Sequence, residues 1–158
     1  LHGLRDPLLS HRDAAERHGV LVSTMQHAGL EVIIGMNNDP QLGPMILVGS
    51  GGIFTEILHD TATALAPISM NEAEHMVKSL RVYPILKGAR GNQPYDIETL
   101  VRLIYELSLF AVEQSNQIQA IDLNPVFVYP KGQGIRIVDT LVVSFTESNP
   151  QNRDICSP

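Results

Sequence analysis

Three oxygen-bearing side chains near the end of the chain have the types and spacing for metal chemistry. Asp122-Leu123-Asn124-Pro125 closes one apolar run and Asp139 closes the next, with Pro130-Lys131-Gly132-Gln133-Gly134 between them. If that segment turns the chain into a hairpin, the Asp122 and Asp139 carboxylates and the Asn124 amide approach one another. Oxygens of this kind suit a hard cation such as Mg2+, with phosphates and water completing its shell. A plainer role is open on spacing alone: Asp122 and Asn124 turning the chain ahead of Pro125, and Asp139 exposed at a strand end. A second candidate is cationic. Arg90, between Gly88 and Gly91 with Lys87 beside them, can offer a guanidinium and backbone N–H groups to a phosphate or carboxylate; a solvated loop explains it as well. Gly49-Ser50-Gly51-Gly52 has the look of a phosphate cradle but lacks the Lys-Ser/Thr of a P-loop, so a bend between strands is its simpler account. Among the histidines, only His27 stands where a phosphate acceptor or general base is worth considering. No Ser/His/Asp spacing occurs, and Cys156, in a polar tail, is a poor nucleophile.

The elements that must position these groups follow from hydrophobic periodicity. Val20–Val22, Glu31–Met36 and Met45–Gly49 are β-branched runs, and Asn37–Pro44 reads as a wide hairpin loop between the last two. Ser50–Leu58 reads as a glycine break and a further short strand. Ser69 stands three residues before Glu72, a capping-box signature, and Ala73, Met76, Val77 and Leu80 share one helical face. A second helix opens with Asp96 as N-cap and runs to about Gln114, with Ile97, Leu100, Val101, Ile104 and Leu107 as its stripe. Pro84–Pro94 reads as a loop between the two helices. Gln119–Asn124, Pro125–Tyr129 and Ile135–Asp139 return to strands. These elements predict an α+β fold, an antiparallel-rich sheet with helices packed on one face.

A chain of 158 residues with 44% apolar and 18% charged residues is sized and mixed like one soluble domain. Its 11 basic against 17 acidic residues give a net charge of −6, which argues against a nucleic-acid partner or an anionic membrane surface. One cysteine forms no internal disulfide and no zinc spacing occurs, so a reducing compartment, the cytoplasm, is expected. No apolar run reaches the roughly 18 to 20 residues of a membrane span. The opening Leu1-His2-Gly3-Leu4-Arg5 has neither a signal-peptide layout nor an initiator Met, and a piece of a longer protein is expected. The expected organisation is a polar lead-in over 1–18, a folded unit over 19–145 and a disordered tail over 146–158.

Several ordered motifs, Gly29–Met36, Asp39–Pro44, Gly51–Glu56, Leu65-Ala66-Pro67, Lys87–Gly91 and Asp122–Pro125, closely resemble the ATP-grasp region of ADP-forming (NDP-forming) acyl-CoA synthetases, relatives of the succinyl-CoA synthetase beta chain. The resemblance covers about Gly19 to Val142 and implies the second ATP-grasp subdomain. It implies that Asn124 and Asp139 hold the Mg2+ that bridges ATP phosphates, with Asp122 beside them. It also implies that Val22, Thr24 and Met25 line the adenine at a strand-to-loop hinge, and leaves Arg90 as a phosphate-binding candidate. The implied reaction is acyl-CoA plus ADP plus phosphate giving acid, CoA and ATP, with a phosphohistidine carrying phosphate between sites. Nucleotide and a CoA-binding domain or subunit are the implied partners, in a homo- or hetero-oligomer. Three positions depart from the family pattern. Ser23-Thr24-Met25 replaces Gln-Glu-Met, Thr140-Leu141 replaces Ala-Arg after the metal Asp, and Ala64 replaces an Arg before Leu65-Ala66-Pro67. The first lid-bearing subdomain and the CoA-binding domain are not in this sequence, so the isolated chain is expected to be inactive. The alternative is a non-catalytic nucleotide-binding or regulatory module of a synthetase-like protein fused to an acyltransferase.

Overall fold

In the computed structural model, which describes residues 24–27, 29–52, 60–91 and 93–145, the expected β-branched runs pair. β1 (Leu30–Asp39) and β2 (Gly43–Ser50) form an antiparallel hairpin. The loop is tighter than the Asn37–Pro44 composition suggests, because Asn37, Asn38 and Pro44 continue the ladder. The Asp39 side chain accounts for the tightness: its Oδ1 accepts the Gln41 and Leu42 N–H groups at 2.8 and 2.9 Å. Those bonds, the one from Gln41 foremost, hold the Asp39 carboxyl below its usual range. β3 (Thr61–Leu65) lies antiparallel along the other edge of β2. The sequence pattern predicts no strand there, since two of its residues are alanines with little strand preference of their own.

β4 (Ile118–Val128) is one strand where the sequence suggests two. The ladder passes through Pro125 because Asn124 and Pro125 together oppose the single residue Ile33 of β1, between the pairs Val32–Val126 and Ile34–Leu123. At such a bulge a proline breaks no required ladder bond. β5 (Ile135–Ile137) and β6 (Thr140–Ser144) both pair antiparallel with β4. They are joined along it by Val138 N–H donating to the Pro125 carbonyl at 3.0 Å and Asn124 N–H donating to the Asp139 carbonyl at 3.2 Å. The sheet therefore runs β3-β2-β1-β4, with β5 and β6 following β4.

Both expected helices form. α1 (Met70–Ser79) starts at a complete capping box, Glu72 N–H donating to Ser69 Oγ and Ser69 N–H to Glu72 Oε2. Ser69→Ala removes the cap acceptor and is expected to cost about 1 kcal/mol, read as a lowered urea midpoint with an unchanged slope. The proline-bracketed segment is not simply a loop. It begins with a short helix, α2 (Tyr83–Leu86), followed by a 3-10 turn over Ala89–Gly91. Pro84 sits in the first turn of α2, where its missing N–H has no helical partner to lose. α3 (Ile97–Glu113) carries the expected stripe, with Leu100 and Ile104 fully buried.

The core lies between the helices and one face of the sheet. Val32, Ile34, Ile46, Val48 and Val126 meet Val77, Leu86, Leu100 and Ile104 there. The structure is thus α+β with helices on one face, and among the described residues no helix covers the other. No described helix is long and apolar enough to cross a membrane. The lead-in over 1–18, the strand read at Val20–Val22, the residues Ile53–Leu58 and the tail over 146–158 lie outside the described residues.

Candidate functional site

The face without helices is where the oxygen-bearing residues emerge. Along β4, Ile121 and Leu123 point into the core, so Asp122 and Asn124 fall on the opposite side by alternation, and both are exposed. The bulge at Asn124 and Pro125 sets these residues within the strand rather than at its end, which corrects the sequence reading. Asp139 stands between β5 and β6, where the flanking pairs Val126–Ile137 and Leu123–Thr140 set it opposite Asn124 and its carbonyl accepts the Asn124 N–H. Such partners project to the same side of a sheet with Cβ atoms about 4.5–5.5 Å apart. Hence Asp122, Asn124 and Asp139 share one open face, with the last two on one rung.

All the side-chain donors on this rung are oxygens, as a hard cation requires. Asp139 Oδ1 accepts the N–H of Thr140 at 2.8 Å, which leaves the remaining lone pairs facing solvent. Neither Asp122 nor Asp139 is in an ion pair among the described residues. No group of three or more His, Cys, Asp or Glu side chains close enough to hold a metal occurs among the described residues. A cation held here would need further ligands from phosphate or water. The donor set fits Mg2+, which keeps several waters and one or two carboxylates.

The neighbouring strands supply the rest of the face. In one row across the sheet stand Thr63, Leu47, Gly35, Asp122 and Leu141. Ile33, Gly35 and Leu47 carry no chemical signal of their own; the alternation of β1 and β2 marks them, since the even-numbered apolar residues are the buried set. Of the departures from the family pattern, Leu141 falls on this face directly across from Asp122 and is 62% exposed. Ala64 is packed against the core instead, on the side away from Asn124, so the loss of an Arg there does not strip a group from the oxygen face.

Thr24 and Met25 lie ahead of β1, and Met25 is 91% exposed, a large apolar side chain left to solvent. This stretch runs beside the far end of β4. Tyr129 Oη donates to the His27 carbonyl at 3.0 Å, and a Cβ on Gly29 would come within 2.8 Å of the Val128 carbonyl oxygen. His27 is exposed and joins no acid or nucleophile among the described residues. Val22 lies outside the described residues, as do His59 and Cys156. The backbone of Arg90 is in the 3-10 turn, tied through α2 and its buried Leu86 to the helix layer.

The sequence profile of the ATP-grasp domain matches residues 2–143. The chain is 44% identical over 133 residues to the beta subunit of ADP-forming acetate–CoA ligase II of Pyrococcus furiosus, covering 84% of this chain and 56% of that one. It is 41% identical over 128 residues to the ADP-forming 4-hydroxybutyrate–CoA ligase of Nitrosopumilus maritimus, covering 81% of this chain and 18% of that one. Among solved structures it superposes with a TM-score of 0.70 and 39% identity, over 76% of this chain and 55% of that one, on the dinucleotide-forming acetyl-coenzyme A synthetase 1 of Ca. Korarchaeum cryptofilum. That synthetase was solved with coenzyme A and Mg-AMPPCP, its phosphohistidine segment pointing towards the nucleotide binding site. The chain spans about half the length of the beta subunits it matches.

Proposed function

Since the chain belongs to the ATP-grasp domain family, we propose that it is the Mg-nucleotide-binding part of an ADP-forming acyl-CoA synthetase, an acid–thiol ligase acting in the cytoplasm with a CoA-binding domain or subunit as its partner. The observation that carries this reading is the rung that sets Asn124 and Asp139 side by side on the helix-free face. Asn124 and Asp139 would hold Mg2+, and Asp122 lies one step along the same strand face. When bound, the ion neutralises charge on the nucleotide phosphates and orients the transferring group. The chain's own contribution is positioning: strand backbones fix the oxygens, and the exposed Thr24 and Met25, with Val22, border the base. Arg90 stays a phosphate-binding candidate on its glycine-flanked sequence.

The reading predicts incompleteness as well as binding. A nucleotide lying on one open sheet face loses the water exclusion that phosphoryl transfer needs, so the chain alone is expected to bind Mg-ATP with Kd of about 1 mM or weaker and to form no ATP from acyl-CoA, ADP and phosphate. Calorimetry and a coupled ATP assay measure these two outcomes, with the complete synthetase as reference. Acyl-CoA-dependent ATP formation by the isolated chain refutes the division of labour.

A further inference from the structure

Glycine inside a strand weakens it, because it gives up the most backbone freedom and brings no side chain to pack. Strand glycines therefore need a reason, and most on this sheet have one inside the fold. A Cβ at Gly49 would fall 2.9 Å from a Thr61 methyl and 3.0 Å from the Asp60 carbonyl oxygen. At Gly51, just past the end of β2, it would fall 2.6 Å from the Glu31 Cβ. These two are held to glycine by their own neighbours.

Gly35 is different. It lies mid-strand in β1, paired with Leu47 on one side and Asp122 on the other, and its backbone is not in the left-handed region that favours glycine. The nearest atoms to a Cβ there are the Ile121 carbonyl oxygen at 3.5 Å and the Leu47 Cβ at 4.0 Å, both ordinary contacts. Among the described residues the protein itself has room for a methyl group at this position. The missing side chain leaves a notch in the open face, with Leu47 and Ile33 as its apolar wall and Asp122 as its polar wall.

We propose that Gly35 is a close-approach position for the bound nucleotide, kept without a side chain so that the ligand can lie against the strand backbone beside the metal-holding rung. This rests on the Mg-nucleotide reading above and adds a residue with no polar atoms of its own to the binding surface. It acts by steric clearance, so a methyl group costs less binding than a branched side chain, and the methyl group itself leaves folding stability intact.

The test is Gly35→Ala and Gly35→Val in the complete synthetase, with Asn124→Ala beside them, each measured by calorimetry with Mg and a non-hydrolysable ATP analogue and by thermal unfolding. Gly35→Val is expected to weaken binding about tenfold or more, in proportion to 1.4 kcal/mol per factor of ten, and Gly35→Ala by less. The thermal midpoint of Gly35→Ala is expected to hold or rise by about 1–4 °C. If Asn124→Ala loses affinity while Gly35→Val binds like the unchanged protein, the clearance role is wrong and the metal-nucleotide reading stands. If no variant alters binding, the reading itself fails and takes the inference with it. If Gly35→Ala lowers the midpoint by several degrees, the fold needs the glycine, and the inference is overturned.

Discussion

Asp139→Ala is expected to lower ATP-linked turnover of the complete synthetase by about a thousandfold, the scale of losing several kcal/mol of metal-based charge stabilisation, while the thermal midpoint moves little. The separation of the two effects follows from placement. Asp139 is exposed and, among the described residues, its side chain makes one hydrogen bond, to the next residue along the chain. Such surface positions contribute within about 0.5 kcal/mol of stability. The carboxylate's value is thus for a ligand and not for the fold. Asn124→Ala is expected to act in the same direction, since it removes the facing oxygen of the same rung. A coupled assay run against Mg2+ concentration checks this, with a raised Mg2+ requirement as the accompanying sign. Unchanged turnover in both variants, with only the regulation of an attached acyltransferase altered, would favour the regulatory module over the ligase.

The largest effect on stability is expected at Asp96, which sequence reading identified as an N-cap and no more. The cap is present, Thr99 N–H donating to Asp96 Oδ1 at 3.2 Å. The second carboxylate oxygen reaches across the fold to accept the Gly132 and Gly134 N–H groups at 3.0 and 2.9 Å. One buried side chain thereby starts α3 and fastens the turn between β4 and β5. Asp96→Ala loses the cap, about 1 kcal/mol, and strands two turn N–H groups at about 1 kcal/mol each. The expected loss is about 2–3 kcal/mol in denaturant unfolding. Burial raises the affinity of this carboxyl for a proton, yet the donors from Gly134, Thr99 and Gly132 together outweigh it and hold its pKa below the ordinary 3.8. A depressed folded value means that the unfolded chain takes up the proton first. The contribution is therefore complete above pH 3.8 and drains away as the pH falls through the lower folded value. Asp96→Asn, which keeps one acceptor and cannot titrate, is expected to flatten that stretch of the pH–stability curve while recovering part of the loss.

The helices were legible because their signals are local. Ser69 with Glu72, and Asp96 ahead of a five-residue apolar stripe, name their own starts within a few positions. Strand identity was legible in β1 and β2 for the same reason, and strand extent was not. Where β1 turns into β2 depended on the Asp39 side chain folding back on the loop. Whether β4 crosses Pro125 depended on Ile33, a residue on another strand. β3 escaped notice because its threonines and alanines are held by pairing with β2 rather than by their own preference. In the site, the residue types at Asp122, Asn124 and Asp139 were visible, whereas the placing of Asn124 opposite Asp139 rests on strand pairing and a backbone bond.

Both halves of the candidate metal grip hang from adjacent rails of a single ladder, so their separation is set by the pitch of the sheet and not by any loop. Insertions at the hairpin tips, around Gln41 or Gln133, would lengthen the outline of the molecule yet leave that caliper at the same gauge. A lineage could therefore exchange lids, docking arms and acyl pockets around this part while the phosphate-handling geometry passed on intact.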